Sequence, residues 1–381
     1  MNKIVCLFLL IVFCWGCSSN SATEKHQGKR DNVINVRDRI KEIVIEDILV
    51  NSYSWPIVID NYMLITDYKT ANEFVHIFDK NDFKYITSIA PRGQGPGEIA
   101  RIGSIEEDKM NRKFYVSDFG KYKIFSYDLD SAIADPAYLP IEKMTMNEQL
   151  VIEKYTYIND TLSIGVIIQR LGNGNFNPIV AKFNMATGKI TPMSYTTHPD
   201  VKKKRVCFDI SMEHGIYVET YIPHDLMTIC NLDGTLKYNV YGTEWSTETH
   251  GIDFYGPVVF CNNRIVALYS GNKSFTNGKT NYPTKFVVFD LDGNYLKTLE
   301  TGYPVIRFCY DKDNNRILMS LNADIQFAYL DVGDLLNELK SHDPIIRHIS
   351  GHRPLERKFC ACESVAGETA SSCLLCGRSR A

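Results

Sequence analysis

The sequence predicts an all-β fold, a six-bladed β-propeller, because one strand–turn–strand pattern occurs six times along the chain. In each copy an apolar run ends in an acidic or amide residue, a tight turn follows, and a second strand-like run begins. These marker residues are Asp79, Asp128, Asn184, Asn231, Asp290 and Asp331, at successive spacings of 49, 56, 47, 59 and 41 residues. A period of roughly 40–50 residues with several strands per unit is typical of propeller blades.

The composition agrees with a globular β-protein. Hydrophobic residues make up 44% of the chain and aromatic residues 12%, and aromatic and β-branched side chains fit the half-buried face of a strand. The formal net charge is −3. Because phosphate binding needs a concentrated basic surface, we expect no nucleic-acid partner.

The blades follow in order from the runs of strand-forming residues. The first five cover 56–90, 104–142, 151–193, 206–241 and 257–299, the last with a polar insertion at 271–283. The sixth begins at residue 305 and has three strand-like runs before a helix-like segment, so its fourth strand is missing.

The missing strand is predicted to come from the N-terminal side of the chain, where residues 42–50 read EIVIEDILV. Pairing of this run with the sixth blade would close the ring and leave no bare edge there. Burial of Ile43, Ile45 and Ile48, at about 1.5–3 kcal/mol each, would stabilise the closure. The predicted propeller therefore spans residues 41–340.

The N-terminus predicts export. Lys3 precedes twelve apolar residues, 4–15, and Gly16-Cys17 follows, which is a basic region, a short apolar core and a small residue before a cysteine. The apolar run is shorter than the roughly 20 residues that span a bilayer. A plain secretory signal cleaved nearby is one interpretation of this pattern.

The same arrangement resembles a bacterial lipoprotein signal, although Cys14 stands where that family usually has an aliphatic residue. The resemblance implies that residues 1–16 are removed and that Cys17 carries the lipid. Residues 17–40 are polar and are expected to form a flexible tether. The protein would then lie in the bacterial cell envelope, lipid-anchored at the outer membrane.

The turn after the first blade has the most distinctive local sequence, GQGPGE at residues 93–98. Its glycines allow positive φ, and Pro96 fixes one φ angle. Together with the strands that follow, this turn resembles the NHL-type repeat, and residues 41–335 resemble TolB-like six-bladed propeller lipoproteins of Bacteroides-type bacteria. The resemblance implies a six-bladed fold and an envelope lipoprotein, and it implies no defined reaction.

Arg92 and Glu98 flank this turn and are the predicted ligand-binding residues, at the mouth of the ring; the alternative is that they pair within the ring. Asp67 and Asp118 end the second strands of blades 1 and 2, where acidic residues are expected to cap backbone N–H groups. No catalytic residue is assigned, because the sequence contains neither a G-x-S-x-G nor an H-E-x-x-H motif.

Metal ligation has two weak signals. Cys360, Cys362, Cys373 and Cys376 have paired spacing, as in structural zinc sites, but residues 341–381 are predicted to be an atypical, disordered tail, with disulfides or zinc as alternatives. Asp311–Asn315 begins like a calcium loop, yet Arg316 replaces the required glycine, which favours a hairpin. We otherwise expect no cofactor, with calcium in the central channel as the alternative.

The function predicted from these features is binding. A membrane-anchored propeller would act as a binding or scaffold module for an envelope protein, a peptide or a glycan. The alternative is a channel-centred hydrolase or lyase, calcium-assisted, acting on sugars or lactones; it would need acidic residues that converge at the inner strands. The basic run at residues 202–205 is expected to be a solvated loop, or else a contact to an anionic glycan or lipid.

Overall fold

The computed structural model describes residues 22–135 and 137–337. Three short strands come first: β1 (Glu24–His26), β2 (Val33–Asn35) and β3 (Ile40–Glu42). Six sheets follow in chain order, and the six-bladed β-propeller predicted from the sequence is confirmed. Among the described residues, no helix is long and apolar enough to cross a membrane.

The first three blades are regular four-stranded antiparallel sheets. Blade 1 contains β4 (Ser54–Ile59), β5 (Tyr62–Asp67), β6 (Glu73–Asp79) and β7 (Tyr85–Pro91). Blade 2 contains β8 (Ile102–Asp108), β9 (Lys113–Asp118), β10 (Lys123–Asp128) and β11 (Ile141–Thr145), with a short helix at Leu129–Ala134. Blade 3 contains β12 (Leu150–Asn159), β13 (Leu162–Gly172), β14 (Asn175–Phe183) and β15 (Ile190–Pro192).

The last three blades each include one strand from the N-terminal segment. Blade 4 contains β16 (Val206–Ser211), β17 (Ile216–Tyr221), β18 (Leu226–Asn231) and β19 (Leu236–Tyr241). Blade 5 contains β20 (Ile252–Cys261), β21 (Arg264–Lys273), β24 (Lys285–Phe289) and β25 (Tyr295–Glu300), with the inserted hairpin β22 (Phe275–Thr276) and β23 (Lys279–Thr280). Blade 6 contains β26 (Val305–Asp311), β27 (Arg316–Leu321) and β28 (Phe327–Asp331), and a one-turn helix, Gly333–Leu336, follows.

The marker residues end the third strand of each blade or lie directly after it. In Asp79, Asp128, Asn184 and Asp290, a side-chain oxygen accepts a hydrogen bond from a backbone N–H of the segment that follows. Asp79 Oδ1 accepts a hydrogen bond from Asn81 N at 2.7 Å, and Asn184 Oδ1 accepts one from Ala186 N at 2.9 Å. Such Asx turns reverse the chain between antiparallel strands. The residue that recurs in the sequence is therefore, in these blades, the residue whose side chain organises the turn.

The hydrophobic core lies between neighbouring blades. The middle strands β17 and β27 are buried along their whole length, so both of their faces need apolar or satisfied side chains. Between blades 1 and 2, for example, Leu64 and Ile77 pack with Phe114 and Val116, all fully buried. Because each blade covers one face of the next, no blade is stable by itself.

Closure of the ring by an N-terminal strand is confirmed, at a slightly different place. β3 pairs antiparallel with β28, with Lys41 opposite Tyr329, and Ile43 N donates to Phe327 O at 2.8 Å. The strand is thus residues 40–42 instead of 42–50, because the chain leaves the edge after Ile43 to reach the start of blade 1. Ile43 is buried, and the two later isoleucines are partly buried in the same cluster.

The prediction of a flexible tether at residues 17–40 is wrong for its described part. β1 pairs in parallel with β19, and β2 pairs in parallel with β25. We call residues 22–43 the N-terminal belt, because they cross the outer edges of blades 4, 5 and 6 in turn. The signal segment at 1–16, the predicted lipid site Cys17 and the tail at 341–381 lie outside the described residues.

Candidate functional site

Five charged side chains lie on the first strands of four blades, around the propeller axis. Glu106 is on β8, Glu153 and Lys154 are on β12, Asp209 is on β16 and Arg307 is on β26; we call these residues the axial cluster. First strands form the inner edge of every sheet and pack on one another across blade boundaries. The charge of Lys154 influences the pKa of all three carboxyl groups, which places each of them within electrostatic range of its ammonium group.

Hydrogen bonds across blade boundaries hold the axial cluster in place. Asp209 Oδ2 accepts a hydrogen bond from Phe260 N at 2.8 Å, and Glu106 Oε1 accepts one from Tyr155 N at 3.4 Å. Lys154 Nζ lies 3.6 Å from Asp209 Oδ1. Because each contact joins the first strands of two blades, the geometry of the cluster follows from the closed ring.

Arg307 lies against an aromatic wall supplied by blade 1. Its guanidinium carbon is 4.2 Å from the centroid of the Trp55 ring, which is a cation–π distance. That ring packs on Tyr68 at a centroid distance of 4.2 Å. Arg307 is half-buried, and it forms no ion pair with a carboxylate in the described part of the chain. Its hydrogen-bonding neighbour Cys207 offers only a thiol, a weak acceptor.

Partial burial changes the acidity of the cluster. Removal from bulk water raises the pKa of Glu106 to about 8, although the Lys154 ammonium opposes the shift. The same cause raises the pKa of Glu153, against Arg307 and Lys154, and the pKa of Asp209, against Lys154. All three carboxyl groups belong to residues that keep some contact with solvent. At neutral pH, Glu106 is therefore mainly protonated and can donate a hydrogen bond.

Replacing Glu106 with Gln is expected to change how stability depends on pH. In the folded state Glu106 keeps its proton up to a pKa of about 8, whereas the ordinary pKa of a glutamate, which applies in the unfolded chain, is 4.5. The wild type therefore loses stability as the pH rises between these two values. Glu106→Gln lacks this loss. Its free energy of unfolding should therefore exceed that of the wild type only slightly at about pH 5, and by a few kcal/mol at about pH 9.

Urea denaturation of both proteins across this pH range measures the difference. Glu148→Gln, at an exposed glutamate outside the cluster, is the control and should parallel the wild type. Parallel pH dependence of wild type and Glu106→Gln would contradict the raised pKa.

Residues 22–135 and 137–337 contain no preformed metal site, because no three His, Cys, Asp or Glu side chains among them converge in a way that could hold an ion. The groups of the axial cluster can instead exchange protons, form ion pairs and donate hydrogen bonds. The predicted zinc ligands Cys360, Cys362, Cys373 and Cys376 lie outside these ranges. The four described cysteines, Cys207, Cys230, Cys261 and Cys309, are unpaired thiols.

The predicted ligand residues Arg92 and Glu98 both form hydrogen bonds within the propeller, Arg92 to the loop between β5 and β6 and Glu98 to its own turn. Arg92 Nη1 donates to Thr70 O at 2.7 Å, and Glu98 Oε2 accepts from Gly95 N at 2.6 Å. Lys121 Nζ donates to the carbonyl oxygens of Gly95 and Glu98, both at 2.8 Å, so the glycine-rich turn is tied to blade 2. Ligand binding by Arg92 and Glu98 stays a prediction.

The predicted capping role of Asp67 and Asp118 is confirmed. Asp67 Oδ2 accepts from Asn51 N at 2.9 Å, and Asp118 Oδ2 accepts from Ala100 N at 2.8 Å. Each aspartate thereby fixes the loop that enters its own blade. The hairpin at Asp311 is confirmed as well, because Asp311 Oδ2 accepts from Arg316 Nε at 3.0 Å.

The basic run at 202–205 is only partly a solvated loop. Lys202, Lys203 and Arg205 are exposed, whereas Lys204 is buried and its Nζ lies 2.5 Å from Glu219 Oε1. Lys204 Nζ also donates to the backbone of the same loop, at 2.6 Å. This lysine therefore anchors the loop between blades 3 and 4 and is not available to an anionic surface.

The sequence analysis missed the axial cluster, although a signal for it exists. Glu106 and Asp209 each stand two residues before the end of a first strand. Trp55, Cys207 and Arg307 each stand four residues before such an end. Aligning the six first strands by their last residue would have placed these side chains at two common levels around the axis.

Comparisons with known proteins bear on the fold. The model of the DUF5128 family, described as a 6-bladed beta-propeller, matches residues 45–217. Comparison with curated proteins gave no match.

Two solved structures are similar over most of the chain. One is a member of the DUF4221 family from Bacteroides vulgatus, at 9% identity and a TM-score of 0.56, covering 77% of this chain and 98% of that one. The other is a Bacteroides fragilis protein named as a candidate exported protein, at 10% identity and a TM-score of 0.50, covering 79% and 88%. The finer resemblance to TolB-like and NHL-type propellers stays a prediction. The chain is a six-bladed β-propeller with structural neighbours in Bacteroides.

Proposed function

We propose that the propeller is the ligand-binding module of an exported envelope protein, and that the axial cluster binds an anionic group of the ligand. The observation that carries this proposal is Arg307, a half-buried cation stacked on Trp55 that forms no ion pair within 4.0 Å in the described chain, although it lies close enough to Glu153 to oppose the rise in the pKa of that carboxyl group. A guanidinium that has lost part of its hydration gains most from a carboxylate or a similar anion, which its planar N–H groups bind in bidentate fashion.

The neighbours of Arg307 support a recognition site. Glu106, protonated at neutral pH, adds a hydrogen-bond donor, and the rings of Trp55 and Tyr68 add an apolar wall. Arg307, Glu106 and Trp55 lie on strands of a closed ring, and Tyr68 directly follows a strand, so little ordering cost is expected on binding. Because the sites of propellers vary independently of the fold, the fold itself identifies no ligand.

Replacing Arg307 with Gln tests the anion site. Titration calorimetry of the purified protein would use short peptides with a free or an amidated C-terminus, and uronic-acid or neutral oligosaccharides. We expect the wild type to prefer the anionic member of at least one pair, and Arg307→Gln to lose at least about tenfold in affinity. Arg37→Gln, at an exposed arginine 5.0 Å from the Tyr303 ring, is the matched control and should bind as the wild type does.

The outcome that contradicts the proposal is binding without anion preference, or binding that Arg307→Gln leaves intact. No binding to any member of the panel would contradict it as well.

Hydrolysis or lyase chemistry is the second candidate function, and one observation favours it. A carboxyl group with a pKa of about 8, such as Glu106, stays protonated at neutral pH, as a general acid must. Glu153 or Asp209 would then serve as the base. Turnover of a glycoside or lactone that Glu106→Gln abolishes, while ligand binding persists, would favour this candidate over simple binding.

Lipid anchoring at Cys17 is part of the same proposal. Only seven peptide steps separate Cys17 from Glu24, where β1 begins, and they span at most about 25 Å. An acylated Cys17 would therefore hold the edge of blade 4 close to the membrane. Mass spectrometry of the membrane-bound protein should find the lipid on Cys17, and Cys17→Ser should release the protein; a Cys17→Ser protein that stays on the membrane would refute the anchor.

A further inference from the structure

The insertion in blade 5 forms a β-hairpin. β22 and β23 pair around Asn277 and Gly278, whose φ angles of +51° and +79° are those of a type I′ turn. Behind the turn, Asn281 Nδ2 donates to Lys273 O at 2.7 Å and to Thr276 Oγ1 at 2.9 Å. These hydrogen bonds define the shape of the hairpin in the structure.

A groove of about 610 Å³ lies between this hairpin and the start of blade 6. The volume is within the usual range for small-molecule sites. Its lining is mainly amide, hydroxyl and phenol side chains, from Asn272, Thr276, Thr280, Asn281, Tyr282 and Asn322. Lys273 is the single charged lining residue, and no carboxylate is present in the lining.

We propose that this groove, which we call the hairpin groove, binds a neutral oligosaccharide. Amides and hydroxyls both donate and accept hydrogen bonds, which matches the hydroxyl groups of a sugar. Tyr282 adds an aromatic face for the C–H groups of a sugar ring. An acidic ligand would find only one cation here.

Three lining side chains are available to such a ligand. Thr280, Tyr282 and Asn322 form no side-chain hydrogen bond with another described residue. Asn322 is fixed through its backbone, because its N–H donates to Pro304 O at 2.9 Å and so extends the pairing of β26 with β27. The hairpin groove shares no residue with the axial cluster, so the two sites can be tested separately.

The test is titration calorimetry of the purified protein with neutral trisaccharides, namely cellotriose, xylotriose, mannotriose, maltotriose and chitotriose in its N-acetylated form. Trigalacturonate and a tripeptide represent the acidic and peptide classes. We expect at least one neutral trisaccharide to bind, and Asn322→Ala and Tyr282→Ala each to reduce its affinity at least about tenfold.

Two controls separate this site from the rest of the protein. Asn72→Ala removes an exposed asparagine from the corresponding loop of blade 1, and it should leave binding unchanged. Arg307→Gln should also leave it unchanged, because the axial cluster is a different site. Absence of binding by every neutral trisaccharide, tighter binding of trigalacturonate or the tripeptide to the Arg307→Gln protein, in which the axial cluster is disabled, or insensitivity to both groove substitutions would overturn the proposal.

Discussion

Removing residues 22–39 from the N-terminal belt is expected to lower the free energy of unfolding by at least about 5 kcal/mol. The truncation takes away β1, β2 and the fully buried Val36, whose burial is worth about 1.5–3 kcal/mol. It also removes Arg30, whose Nη2 lies 2.9 Å from the fully buried carboxylate of Asp225. An unpaired buried carboxylate costs about 3–5 kcal/mol.

Arg30 has further partners that would lose their contact with it in the truncated chain. Its Nη2 donates to Tyr255 OH at 2.8 Å, and its guanidinium carbon lies 4.8 Å from the centroid of the Tyr269 ring. Arg30→Met in the intact belt should therefore show a large part of the effect, about 3 kcal/mol or more.

Thermal and urea denaturation of a chain that begins at residue 40 measures the effect, with a chain that begins at residue 22 as the control. The control keeps every described contact and should melt near the wild type, whereas the shorter chain should melt more than about 10 °C lower. Equal melting temperatures would show that blades 4 and 5 do not depend on their fifth strands.

Replacing Lys204 with Met is expected to cost about 3–5 kcal/mol, because it leaves Glu219 charged and unpaired inside the protein. The two side chains are only 2% and 1% exposed, and the Glu219 oxygens have no hydrogen-bond donor among the described residues besides this ion pair. Glu219→Gln should destabilise the protein for the converse reason, by leaving the ammonium unpaired.

Controls for this prediction come from the same loop and from the double variant. Lys203→Met changes an exposed lysine beside Lys204 and should alter stability by less than about 0.5 kcal/mol. Lys204→Met combined with Glu219→Met should recover much of the loss, because an apolar pair can replace a buried ion pair. Single substitutions that cost less than about 1 kcal/mol, measured by urea denaturation, would mean that water reaches Glu219.

The blades were predictable because their signals are local. A marker such as Asp79 or Asp290 bonds the backbone two residues ahead, and the adjoining strands pair within the same blade. Each strand, its turn and the strand that it pairs with therefore lie within one short stretch of sequence, and the repetition of this stretch makes it recognisable. Only the exact position of the closing strand was misplaced.

The belt was not predictable by the same reasoning. β1 and β2 have three residues each and are partly exposed, so they carry no hydrophobic period. They pair with β19 and β25, more than two hundred positions away. The interactions that order them involve polar groups, such as Arg30 with Asp225, and a polar sequence alone is typical of a tether.

The axial cluster was not recognised from the sequence for a similar reason, because its residues also come from distant segments. Glu106, Lys154 and Asp209 look like ordinary surface charges when each strand is read separately. They become neighbours only because the ring brings the first strands of blades 2, 3 and 4 to one axis. The raised pKa of Glu106 is a consequence of that enclosure, which has no counterpart in the strand itself.

For this chain, the sequence period and the turn residues were enough to establish the number of blades and the positions of the turns between strands. They also showed that a strand from the N-terminal side completes the last blade. Which charges share a low-dielectric interior, and which polar stretch wraps an outer edge, depended on contacts between distant segments. Such contacts form only in the closed propeller, because the burial of these charges and the distances between them do not exist in any isolated segment.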